Sequence, residues 1–166
     1  MPLTFFCPNA KKEGSILRLT FNSKDAKLFV GFTKQTDWND QDQMGIFKGG
    51  LSTGFFLNRS EMAELYNILN IDQGILDKTH IFDNNKSRLR FLIDKSQGEK
   101  RGFILEKDNN IYKALLPSGE HLTIKLYLEF CFDRMFNAIY AADKKEFESK
   151  HKEQSENVNP IESAPF

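Results

Sequence analysis

Gly54–Leu69 reads GFFLNRSEMAELYNIL, a run that passes from strand to helix within a few residues. The GFFL segment is apolar and aromatic, as a strand favours. Asn58 then stands at an N-cap position with Glu61 three residues later, the pairing of a capping box. Met62, Leu65, Tyr66 and Leu69 follow at helical spacing and share one apolar face, so a short amphipathic helix closes this part of the chain.

Upstream of that switch the periodicity is two. Ser15–Asn22 (SILRLTFN) places Leu17, Leu19 and Phe21 on one face and Ile16, Arg18 and Thr20 on the other, the pattern of a half-buried strand. Asn22 to Asp25 supplies turn residues, and Ala26–Gln35 (AKLFVGFTKQ) returns as the second strand of a hairpin. Asp37–Gln43 (DWNDQDQ) breaks the apolar pattern and reads as an exposed loop. Met44–Leu57 (MGIFKGGLSTGFFL) reads as a strand interrupted at Gly49 and Gly50, where a bulge or close backbone approach is expected.

Downstream the same order returns. Thr79 to Asp83 reads as a short strand after a connection over Asn70 to Lys78. Lys86–Asp94 (KSRLRFLID) alternates, with Leu89, Phe91 and Ile93 inward and Lys86, Arg88 and Arg90 outward. Lys100 to Lys107 and Ile111 to Leu116 are two further strands about a turn at Asp108 to Asn110. A longer helix follows Pro117 to Glu120, with Thr123 as N-cap and Leu128, Phe132, Met135, Phe136 and Ile139 as its main apolar face. Tyr127, Phe130 and Cys131 make its flanks apolar too. Such a helix either serves the core and a subunit contact together or packs between two sheets of one protomer.

A β-rich, helix-ended unit is therefore present twice, at about 14–69 and 79–147, within one domain over 1–152. Lys plus Arg and Asp plus Glu each total 23 in 166 residues, so no global basic charge announces a nucleic-acid partner, and local segregation of charge has to supply any such site. The 16 Phe can be core, interface or base-stacking surface, according to position. Cys7 and Cys131 lie far apart outside any CxxC or Cys/His cluster, and His80, His121 and His151 are scattered, so neither a disulfide framework nor a metal site is expected. MPLTFFCPNAKKEG lacks the pattern of a signal peptide, and no run of about 18 apolar residues occurs. An intracellular protein, cytoplasmic or nucleoid-associated and without a membrane partner, is expected.

The first unit resembles the family of positive cofactor four and the plant Whirly proteins, which bind single-stranded nucleic acid. LRLTFNSKDAKLFVGFTKQ is similar to the family's basic β-hairpin, and GFFLNRSEMAELYNIL to its final strand, Asn-capped turn and amphipathic helix. The tandem order extends the resemblance to a Whirly-like layout, although the lysine- and glycine-rich strand motif of the plant proteins has no clear copy here. The resemblance implies an α+β fold of two four-stranded antiparallel sheets with two helices, homo-oligomeric assembly, and nucleic acid lying across exposed sheet faces.

A sequence-tolerant binder needs cations to follow phosphates and flat rings to stack on bases. The candidates are Lys27 and Phe29 on one strand face, Lys34 near its end, Trp38 in the following loop, and Phe47 and Lys48 beside the glycine break. In the second unit they are Lys86, Arg88 and Arg90, then Arg101, Phe103 and Lys107, which share parity on the next strand. The competing role for each Phe is the core, and for each cation a solvated face. Trp38 sits among Asp37, Asn39, Asp40 and Asp42, acids that repel phosphate.

Residues 153–166 (EQSENVNPIESAPF) hold three Glu and no Lys or Arg, a composition expected to be disordered. This stretch is similar to the acidic tail of bacterial single-stranded DNA-binding proteins, which implies docking of Pro165 and Phe166 into replication or repair partners. No nucleotide-binding, hydrolase or metalloprotease motif occurs, and no residue stands out as a catalyst or cofactor ligand. The expected function is non-enzymatic binding of single-stranded DNA, with RNA as an alternative ligand, in replication, recombination or repair. A transcription or RNA-binding regulator on the same scaffold and a structural oligomerisation module are the competing readings.

Overall fold

In the computed structural model, which describes residues 1–95 and 99–156, alternation becomes pleat. The first unit runs β1 (Leu3–Cys7), β2 (Ser15–Asn22), β3 (Lys27–Lys34), β4 (Asp37–Asn39), β5 (Met44–Ile46), β6 (Ser52–Leu57) and α1 (Arg59–Ile71). The second runs β7 (Ile75–Phe82), β8 (Asn85–Asp94), β9 (Lys100–Lys107), β10 (Asn110–Leu116) and α2 (Glu120–Glu156). Two antiparallel four-stranded sheets result, ordered β1-β2-β3-β6 and β10-β9-β8-β7, with β4 and β5 as a separate two-stranded ribbon. This is the α+β, Whirly-like architecture expected from the resemblance.

Each sheet buries one face. Leu17, Leu19, Leu28, Val30, Phe32, Phe55 and Leu57 point inward from the first, and Leu76, Leu89, Phe91, Phe103, Leu105, Tyr112 and Ala114 from the second. The inner faces meet where Phe32 lies 6.2 Å from Tyr112, while Phe91 and Phe103 pair at 4.8 Å within the second sheet. Met62, Leu65, Ile68 and Leu69 of α1 and Ile124, Leu128, Cys131 and Met135 of α2 complete the core. The capping box is present: Asn58 Oδ1 accepts from the Glu61 amide at 3.0 Å and Glu61 Oε2 from the Asn58 amide at 2.9 Å. Asp72 ends α1 in the left-handed region (φ 52°), its amide donating to the Ile68 carbonyl.

Several boundaries differ from the sequence expectation. β1 is an additional strand, held in register by β2 from Leu3 opposite Leu19 to Cys7 opposite Ser15. The supposed loop after Asp37 contains β4, paired with β5 through Trp38 opposite Gly45, and both strands are too short for alternation to show. β7 starts at Ile75, so the connection is far shorter than Asn70 to Lys78. α2 starts at Glu120 directly after Gly119 (φ 85°), placing Thr123 inside the helix and not at its cap.

The buried stripe of α2 is also rotated from the expected face, since Phe136 is 63% and Ile139 38% exposed. Leu122, Leu126, Phe130 and Tyr140 are exposed as well, so α2 is not sandwiched between the sheets. The helix continues to Glu156, which makes the first residues of the expected tail helical. Pro165 and Phe166 lie outside the described residues.

The two free cysteines point into the core, and burial pushes both thiols up to about 12, with Glu120 adding to the effect at Cys7. Near pH 8 they are protonated and shielded, so a disulfide reagent should label neither in the native protein and both after denaturation. Packing makes a second prediction. Phe103→Ala should lower unfolding free energy by about 3–5 kcal/mol in urea titrations, whereas Phe56→Ala, on the exposed face, should cost less than about 1 kcal/mol.

Candidate nucleic-acid interface

The outer face of the first sheet is built from the residues left over when its inner rows are buried. Register sets them in lines across the strands: Thr20, Phe29 and Phe56; Thr4, Arg18, Gly31 and Gly54; Phe6, Ile16, Thr33 and Ser52. Phe29 and Phe56 are neighbours with ring centroids 5.0 Å apart and planes tilted by 49°. Phe56 is 52% and Phe6 63% exposed, high values for rings on a sheet.

Glycine creates the floor. A Cβ at Gly54 would overlap Cε2 and Cζ of Phe29, and one at Gly31 would come 2.8 Å from its Cε1. The two missing side chains let the Phe29 ring lie down on the sheet and present a face where an upright ring would present an edge. Arg18 and Lys27 border this floor, both exposed and, among the described residues, without an ion pair.

The floor opens into a groove of about 1070 Å³ that extends past the edge strand β6 to the β7–β8 hairpin. At the groove's far wall His80 stacks on Phe55 at 4.1 Å and contacts Glu61 Oε1 through Nε2 at 2.8 Å. Glu61 therefore joins the helix cap to the hairpin. Lys107 crosses from β9 and donates to the Gly54 carbonyl at 3.4 Å, placing a cation on the β6 edge.

Of the residues expected to bind nucleic acid, Lys27, Phe29 and Lys107 come together in this groove. Lys86 is exposed near the tip of the adjoining hairpin, opposite Ile81. Lys34 is half-buried at the end of β3 with the parity of the inner row, away from the floor. Trp38 is half-buried on β4, beside the Lys12–Asp37 ion pair at 2.6 Å. Phe47 packs edge-on against Phe6 at 6.3 Å, and Lys48 is exposed beside it; neither lines the groove.

Three cations of the second sheet are engaged. Arg88 and Arg90 do point outward, but Arg88 donates twice to Asp77, at 2.8 and 2.5 Å, and Arg90 donates to Glu106. The bonds from Arg88 hold the Asp77 carboxyl below its ordinary range. Arg101 and Phe103 are corrections: both belong to the inner row. Phe103 is fully buried against Phe91, so its ring is closed to stacking. Arg101, 8% exposed, grips Asp72 at 2.9 and 2.6 Å and so fastens β9 to the end of α1.

Arg18 and Phe56 were legible as outward residues, since alternation opposes them to Leu17, Leu19 and Leu57. Phe6 was not, because its strand becomes visible only through pairing with β2. Among the described residues no group of three or more His, Cys, Asp or Glu is placed to hold a metal, and no helix is long and apolar enough to cross a membrane.

Neither a family model nor a curated protein matches the chain by sequence. Among solved structures, a chain from the crystal structures of Trypanosoma brucei MRP1/MRP2 matches with a TM-score of 0.51 at 11% identity. The alignment covers 85% of this chain and 86% of that one, so the likeness spans both units. At that identity what is shared is the fold.

The Asp72–Arg101 pair makes a signed prediction. Hydrogen bonds from Arg101 lower the Asp72 carboxyl below its ordinary 3.8, against the opposing effect of partial burial. The pair therefore stabilises the fold above the ordinary carboxylate range, and that contribution is lost as pH falls through the lowered value. Asp72→Asn should be clearly less stable than the parent in urea at about pH 7, with the gap closing as pH falls below the ordinary carboxylate range.

Proposed function

We propose that this protein is a non-enzymatic, sequence-tolerant binder of single-stranded nucleic acid, with DNA undergoing replication, recombination or repair as its target. The observation that carries the reading is the first sheet's outer face: Phe29 lying flat over Gly31 and Gly54 beside exposed Phe56, bordered by Arg18 and Lys27, which are exposed and make no ion pair among the described residues. Rings accept any base by stacking, at about 1–3 kcal/mol per base, and cations accept the phosphates between them. Neither contact reads a base edge, which is why tolerance of sequence follows. The shared Whirly-like fold supports the same reading.

The oligomeric part of the proposal rests on α2. Leu122, Leu126, Phe130, Phe136 and Tyr140 are exposed on a helix whose described side chains are all exposed from Phe136 onward. A second copy is the partner that would cover them, leaving the outer sheet faces free. Light scattering on the full chain should give a mass above the protomer, and Leu126→Glu combined with Phe136→Glu should reduce it.

Titration of labelled single-stranded DNA, single-stranded RNA and duplex DNA across a salt series tests the binding reading. Single strands should be preferred, and affinity should fall with salt. Arg18→Ala and Lys27→Ala should each reduce the magnitude of the salt slope by about 0.7, the increment for one phosphate contact on a single strand. Phe56→Ala should weaken binding at every salt concentration without changing the slope. Equal binding of duplex and single strand would refute the proposal, and tighter binding of RNA would move it to an RNA target.

A further inference from the structure

The β7–β8 hairpin ends in two large apolar residues that the core does not use. Ile81 is 72% and Phe82 78% exposed, and Asp83 and Asn84 make a tight turn between Phe82 and Asn85 with φ of 46° and 63°. Left-handed values at both central positions are those of the turn whose twist matches a two-stranded ribbon, so this apex is set by its backbone. Both apolar residues line the same groove as Lys27, Phe29 and Phe56. A strand resting on the phenylalanine floor therefore passes them where it leaves the groove towards the hairpin.

We propose that this tip caps the end of a duplex from which the bound strand emerges, with Phe82 stacked on the terminal base pair and Ile81 packed against its edge. The inference rests on the single-strand reading of the groove. Chemistry chooses the occupant. A terminal base pair presents a flat, uncharged face, and water is the alternative neighbour for both that face and Phe82. Asp83 at the apex disfavours insertion among phosphates, while Lys86, opposite Ile81, is placed one step back from the apex to meet the backbone of the paired strand. Continuity with the groove limits the site to a junction, because a blunt duplex offers no strand for the floor.

The experiment compares the full-length protein's affinity for a DNA hairpin carrying a single-stranded tail, with the tail at either end, for the tail alone, and for the blunt hairpin. A tailed hairpin of one polarity should bind roughly fivefold or more tighter than the tail alone, the worth of one base–aromatic stack, and blunt hairpin should bind weakest. Phe82→Ala should abolish that gain, so that this variant binds tailed hairpin and tail alone equally, and Phe82→Trp should retain it. A 2-aminopurine in the terminal pair should change fluorescence on binding the parent and not on binding Phe82→Ala. Equal affinity for tail and tailed hairpin, or a gain that survives Phe82→Ala, would overturn the inference while the single-strand reading stands. Failure to bind the tail alone would remove both. A changed mass of Phe82→Ala in light scattering would assign the tip to a protein contact and overturn the inference.

Discussion

Contact between the two inner sheet faces, centred on Phe32 of β3 and Tyr112 of β10, is the interaction on which the rest of the structure depends. Side chains alternate along a strand, so committing Leu17, Leu19, Val30 and Phe32 to that contact commits Arg18, Thr20, Phe29 and Gly31 to the opposite face. A slip of one residue in register would exchange the two sets, and the penalty of exposing the apolar row prevents it. The helices reinforce the arrangement from the end. Tyr66 of α1 donates to Glu129 of α2 at 2.9 Å, and Tyr127 of α2 accepts from the Phe21 amide of β2 at 3.2 Å.

The two units share an order of elements and differ in what their outer faces present. On the first sheet the outward rows hold aromatic rings, glycines and exposed cations that make no ion pair among the described residues. The second carries Ile75, Leu92, Gly102 and Leu115 in one row, and beside it Asp77, Arg90, Ile104 and Lys113. Its arginines are held by Asp77 and Glu106, and Lys113 lies 3.4 Å from Glu13 of the first unit. Exposed ion pairs of this kind add little stability. Their consequence is local: a phosphate approaching Arg88 or Arg90 meets a carboxylate already in place.

How far the site could be foreseen follows from which residues depend on near neighbours and which on distant ones. Asn58 and Glu61 make their cap within one helical turn, so the residues show it directly. Phe56 and Arg18 take their direction from adjacent Leu57 and Leu17. By contrast, Arg101 looks like a surface cation until Asp72, brought in from the end of α1, draws it into the inner row. Phe103 differs from Phe29 only in the row it occupies, and β1 exists as a strand because β2 pairs with it.

The amino-acid sequence by itself determined the tandem order of strands and helices, the capped start of α1, and the inward direction of Leu17, Leu19, Leu89 and Phe91, because these follow from backbone periodicity and contacts a few residues apart. Tertiary structure alone decided which rings and cations remain available. Phe29 lies flat because two glycines from different strands meet beneath it, Arg88 and Arg90 are engaged because β7 and β9 bring carboxylates alongside, and Ile81 and Phe82 join the groove because the second unit folds its hairpin past the edge of the first. Burial and charge pairing are properties of what surrounds a side chain, and for these residues the surroundings come from distant parts of the chain.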